Sequence, residues 1–177
     1  VNRIAFGPDG DLFTGGIGST GDWGQAGKQR FGLQKLSFNG KLPFEILAVR
    51  PGTGGVEVEF TKPLAAGTGT GPQNYRLKHW YYEPTSTYGG PKMGEEILSV
   101  SAVHVSPDRR KVFLATDGLK AGRVVHVHLR GVAGEGDELP WSSEAWYVPN
   151  RIPSRTFDYV PQQDRPATQP ATAEAEE

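Results

Sequence analysis

The chain has 177 residues, a formal net charge of −1, no cysteine, and about a fifth of its length in Gly (24) and Pro (14). That charge balance offers no basic field for nucleic acid or anionic membrane, and the lack of cysteine excludes disulfides, thiolate metal sites, iron–sulfur clusters and cysteine nucleophiles. The longest stretch free of Gly and Pro runs only from Glu95 to Ser106, which argues against long helices and for an all-β fold, and no apolar run is long enough to span a bilayer as a helix.

In chain order, Val1 to Phe6 alternates in part, Gly7-Pro8-Asp9-Gly10 supplies turn chemistry, and Asp11 to Thr14 resumes a strand. Propeller blades repeat such hairpins, so residues 1–43 are expected to be the end of a β-propeller, a partial blade in a chain that reads as a piece of something longer. The competing reading is a hairpin that belongs to the following domain. The glycine-dense stretch Gly15 to Gly24 superficially resembles a phosphate loop, but no helix can be drawn after it; it is expected to be a tight loop around Trp23. Leu33 to Phe38 is a short apolar strand.

From Phe44 the signals become regular. Phe44 to Val49 is an apolar strand, and Val56, Val58 and Phe60 alternate with Glu57, Glu59 and Thr61, a strand with one wet face. Further strand candidates are Tyr75 to Tyr82, Ile97 to Val105, Lys111 to Thr116 and Arg123 to Arg130. Ser106 to Arg110 reads as a hairpin turn, and Asp117 to Gly122 as a corner crossing between sheets. About seven short strands at this spacing predict an immunoglobulin-like or fibronectin-like β-sandwich over 44–132. Residues 133–160 form an extended aromatic segment expected to pack back. Residues 161–177, rich in Pro, Gln, Ala, Thr and Glu, are expected to be a disordered tail or linker.

The order Phe6-Gly7-Pro8-Asp9-Gly10, Trp23-Gly24, Phe31 to Leu36, Gly40-Lys41 and Pro43 to Ile46, followed by Trp80-Tyr81-Tyr82, Tyr88-Gly89-Gly90-Pro91 and Trp146-Tyr147 to Asn150-Arg151-Ile152-Pro153, resembles the C-terminal part of glucose/sorbosone dehydrogenase-like propeller proteins of planctomycete and verrucomicrobial multidomain type. The resemblance implies a periplasmic or secreted sugar oxidoreductase as parent, with pyrroloquinoline quinone and calcium in a propeller whose remaining blades are this chain's partners. It supplies no catalytic residue and no cofactor here. The expected role is a non-catalytic accessory one.

Two sets of residues carry candidate chemistry. His79, Trp80, Tyr81, Tyr82 and Tyr88 could form a carbohydrate platform, with aromatic faces stacking on sugar rings; the bland alternative is packing. Strand alternation sends Tyr81 to one face and Trp80 and Tyr82 to the other. In Arg123 to Leu129, alternation puts His126 and His128 on one face, about 7 Å apart, where they could chelate a transition metal with His104 as third ligand; otherwise they are a solvent-facing strand surface. No catalytic triad or carboxylate pair emerges, and Ser142, Ser143 and Glu144 have no histidine tied to them.

Overall fold

The computed structural model describes residues 3–17 and 31–161. Trp23 and most of the glycine-dense loop, together with residues 162–177 of the expected tail, lie outside the described residues. The chain divides into two compact units, Val1–Lys41 and Leu42–Glu177.

The first unit is an antiparallel sheet of β1 (Arg3–Phe6), β2 (Leu12–Ile17) and β3 (Phe31–Leu36), in the order β1-β2-β3. The turn residues act as expected: the amide of Gly7 donates to the carbonyl of Asp11 at 2.9 Å, and Gly10 takes φ +81°. Lys35 pairs with Asp11 at 2.5 Å. Ile4, Phe6 and Leu36 are exposed. The expected end of a β-propeller, a partial blade, is not shown by these strands. A blade has four strands, and among the described residues this sheet is open with three; turn chemistry specifies a meander but not what surrounds it.

Among the described residues the second unit holds eight strands: β4 (Ile46–Gly52), β5 (Gly55–Phe60), β6 (Tyr75–Tyr82), β7 (Lys92–Leu98), β8 (Val100–Val105), β9 (Lys111–Thr116), β10 (Val124–Leu129) and β11 (Glu144–Tyr147). They form two four-stranded antiparallel sheets, β4-β5-β9-β8 and β11-β10-β6-β7. Period-two alternation drives the assembly. Val58 and Phe60 from β5 and Val112 and Leu114 from β9 meet Leu77 from β6 and Val127 and Leu129 from β10 in one core. Phe44 closes its end, fully buried and stacked on Phe60 at 5.2 Å.

Two features depart from the sequence expectation. Ile97 to Val105, drawn as one strand, is two strands that break at Ser99 and belong to different sheets; Leu98 and Val100 both pack into the shared core, so the apolar pattern runs on while the backbone changes sheet. Glu57 is not on a wet face: it is 3% exposed, with Tyr159 donating its hydroxyl to Oε2 at 2.8 Å and Arg50 Nη1 3.2 Å from Oε1. Burial and the Glu57 carboxylate both push the Tyr159 phenol pKa up.

Tyr159 arrives on a covering layer. Past β11 the chain runs along the outer face of β4-β5-β9-β8, where Phe157 and Val160 pack on Phe113 and Ala115. The amide of Thr53 donates to the Arg155 carbonyl at 2.8 Å. Gly52 permits this approach, since a Cβ there would lie 2.5 Å from the Phe157 ring and 2.9 Å from the Arg155 oxygen. At the other end, Glu138 accepts from the Phe44 amide at 3.1 Å and pairs with Lys62 at 2.5 Å; Lys62, then that amide, hold its carboxyl below the usual carboxylate range. Trp141, by contrast, is exposed rather than packed.

Candidate functional site

The outer face of β11-β10-β6-β7 gathers most of the chemistry-bearing residues. On β6, Tyr75 and Leu77 point into the core and Arg76 and Lys78 away from it, so alternation carries Trp80 outward. It is nevertheless only 5% exposed. Lys92 Nζ stands 3.8 Å from the Trp80 ring centroid and Lys78 Nζ 5.4 Å, with Glu95 paired to both lysines. The two ammonium groups lie over the indole and are paired with Glu95, a cation–π arrangement.

The five residues expected to form a carbohydrate platform are therefore dispersed. His79 is fully buried, its Nε2 3.2 Å from Glu96 Oε2. Lys120, then His79, keep the Glu96 carboxyl below its ordinary range. Tyr81 is half-buried, with the Arg123 guanidinium 5.1 Å from its ring centroid. Tyr82 and Tyr88 are exposed, Tyr88 in the loop between β6 and β7. The pairing register of β6 with β7 slips between His79 and Tyr81, which interrupts the alternation on which a shared aromatic face would depend.

The expected three-histidine metal site is likewise not assembled. His104 sits on β8, in the opposite sheet, stacked over Phe113 at 6.5 Å. His126 and His128 do share a face of β10, with ring centroids 6.2 Å apart. His126 is not solvent-facing, however: Trp146 stacks on it at 5.0 Å and 18°, and Trp80 meets it edge-on at 6.1 Å. Among the described residues no group of three or more His, Asp or Glu side chains is placed to hold a metal ion.

Burial holds the His126 pKa below its ordinary value, against the opposing pull of Glu144, whose Oε1 lies 3.2 Å from Nε2. The unfolded chain therefore takes up a proton near pH 6.5 that the folded chain resists. The stability contributed by neutral His126 is complete above that pH and declines as pH falls toward the depressed folded value. Melting temperatures between pH 7.5 and 5.5 are expected to fall more steeply for the parent chain than for His126→Phe, which keeps the stacking and removes the titration. Parallel curves would show that His126 does not govern this window.

Sequence reasoning missed Trp146 as the surface aromatic. Its place two residues from Glu144 on β11, hence on the same strand face, was the available signal. In register across the sheet, Trp146 neighbours His126, His126 neighbours Lys78, and Lys78 neighbours Ile97. Trp146 and Ile97 are 57% and 66% exposed. The result is a flat row with an apolar group at each end, a buried imidazole beneath Trp146 and an ammonium between.

No protein-family model matches the chain, and no curated protein matches it in sequence. Similar solved structures are the S-layer protein rSbsC(31-844), at 20% identity and TM-score 0.46 over 62% of this chain and 14% of that one, and the N-terminal part of the bacterial S-layer protein SbsC, at 20% and 0.45 over 62% and 24%. Domains 1–6 of surface layer protein SbsC align at 21% identity and TM-score 0.43 over 60% of this chain and 14% of that one. This chain thus spans a quarter or less of the proteins it aligns with. No helix among the described residues is long and apolar enough to cross a membrane. The resemblance to glucose/sorbosone dehydrogenase-like propellers is overturned: among the described residues the strands form open sheets and no propeller. The pyrroloquinoline quinone, calcium and partner blades that it implied have no other basis.

Proposed function

We propose that the second unit is a non-catalytic accessory module of immunoglobulin-like type that binds through the open face of β11-β10-β6-β7. The strand orders β4-β5-β9-β8 and β11-β10-β6-β7 correspond to the A-B-E-D and G-F-C-C′ sheets of such sandwiches. Its buried ionic groups serve construction: Glu57 ties down Tyr159 and Arg50, and His79 meets Glu96.

The observation that carries the binding reading is the difference between the two outer faces. One lies under Phe157 and Val160, while the other presents Trp146, its exposed ring backed by His126. Such a ring, with polar neighbours His128, Glu144 and Lys78, suits stacking against a saccharide. A secreted or cell-surface setting belongs to this reading. Titration with cellotetraose and chitotetraose is expected to perturb tryptophan fluorescence, with no product released on prolonged incubation. Trp146→Ala is expected to abolish the response while changing stability by less than about 1 kcal/mol, as for an exposed residue. An unaltered response in Trp146→Ala would remove this face from the assignment.

A further inference from the structure

A cleft of about 470 Å³ lies where β4 meets the chain leaving β11. Its lining residues include Arg50 and Pro51 of β4 and Tyr147, Arg151, Pro153 and Arg155 from the later segment. Three arginines thus line one concavity, and no Asp or Glu is among its lining residues. Arg50 is paired with Glu59 at 2.5 Å and with Glu57, and this pairing raises its pKa. Arg151 and Arg155 are exposed at the rim.

Guanidinium forks bind carboxylates through paired, planar hydrogen bonds. Tyr147 and the two prolines add apolar surface of the kind that packs on a ring. The volume falls within the ordinary range for small-molecule sites. The geometry points to a binding site for a carboxylate-bearing sugar, a uronic acid unit whose carboxylate faces Arg151 and Arg155 and whose ring lies along Tyr147. This site is separate from the Trp146 face and does not depend on the reading of that face.

The test is calorimetric titration of the full chain with trigalacturonate, galactotriose and inorganic phosphate in parallel. In the Trp146→Ala background, which removes the other proposed saccharide face, trigalacturonate is expected to bind at one site, more weakly as sodium chloride is raised, and galactotriose not to bind. The double variant Arg151→Gln/Arg155→Gln is expected to lose at least tenfold in affinity with an unchanged melting temperature, since both side chains are exposed and the Thr53 contact uses the Arg155 backbone. Tyr147→Ala is expected to weaken trigalacturonate binding in that background. Phosphate binding as tightly as trigalacturonate would overturn the proposal, because the cleft would then read charge alone. Absence of trigalacturonate binding, or unchanged affinity in the double variant, would overturn it as well.

Discussion

Trp80→Ala is expected to destabilise the second unit by about 3–5 kcal/mol, the range for removing a large buried aromatic side chain. The ring lies beneath the Lys92 and Lys78 ammonium groups and edge-on to His126, so its loss removes buried aromatic packing and both cation–π contacts at once. Trp80→Phe should retain much of that stability, because the indole N–H is buried with no hydrogen-bond partner and none is lost. Urea unfolding of the three proteins at pH 7.5 checks this. A Trp80→Ala midpoint equal to that of the parent would show that the indole contributes no packing, as a freely exposed ring would.

A second large effect is expected at Phe157. Its ring packs on Phe113 at 5.2 Å and on Tyr159 at 6.1 Å, and with Val160 it anchors the layer over β4-β5-β9-β8. Phe157→Ala is expected to cost about 3–5 kcal/mol at that layer. Because the shared core of the two sheets contains neither Phe157 nor Tyr159, the loss should be local first. Hydrogen exchange is expected to show residues 153–160 and Thr53 losing protection before the core strands do. Simultaneous loss of protection throughout would mean that the layer and the sandwich form a single cooperative unit.

The strands were legible where burial is one-sided. Val58, Phe60, Leu77, Val127 and Leu129 announce their faces by alternation alone, and the Ser106 to Arg110 turn by its Ser-Pro-Asp chemistry; there the Arg109 amide donates to the Ser106 carbonyl at 2.8 Å, with Arg109 at φ +56°. What a second layer decides was not legible. Glu57 looks wet until Tyr159, 102 residues later, reaches it. Trp80 looks available until Lys92, from another strand, lies across it. The histidines mislead for a related reason: sequence spacing fixes a shared face for His126 and His128 within β10, but only sheet order places His104 on the far side.

The bond between Tyr159 and Glu57, like that between Arg155 and Thr53, ties the last described stretch to the first hairpin of the sandwich. During synthesis on the ribosome, at about 5–20 residues per second, β4 and β5 emerge many seconds before the segment that covers them. Over that interval Glu57 has water in place of Tyr159, and Phe113 and Ala115 have no lid. The closing step joins two ends of the unit across a long loop, and its entropic cost is met only after both sheets exist. Translation therefore imposes an order on assembly, core first and outer layer last, and a nascent chain halted before Phe157 presents an apolar strip to whatever binds unfinished proteins.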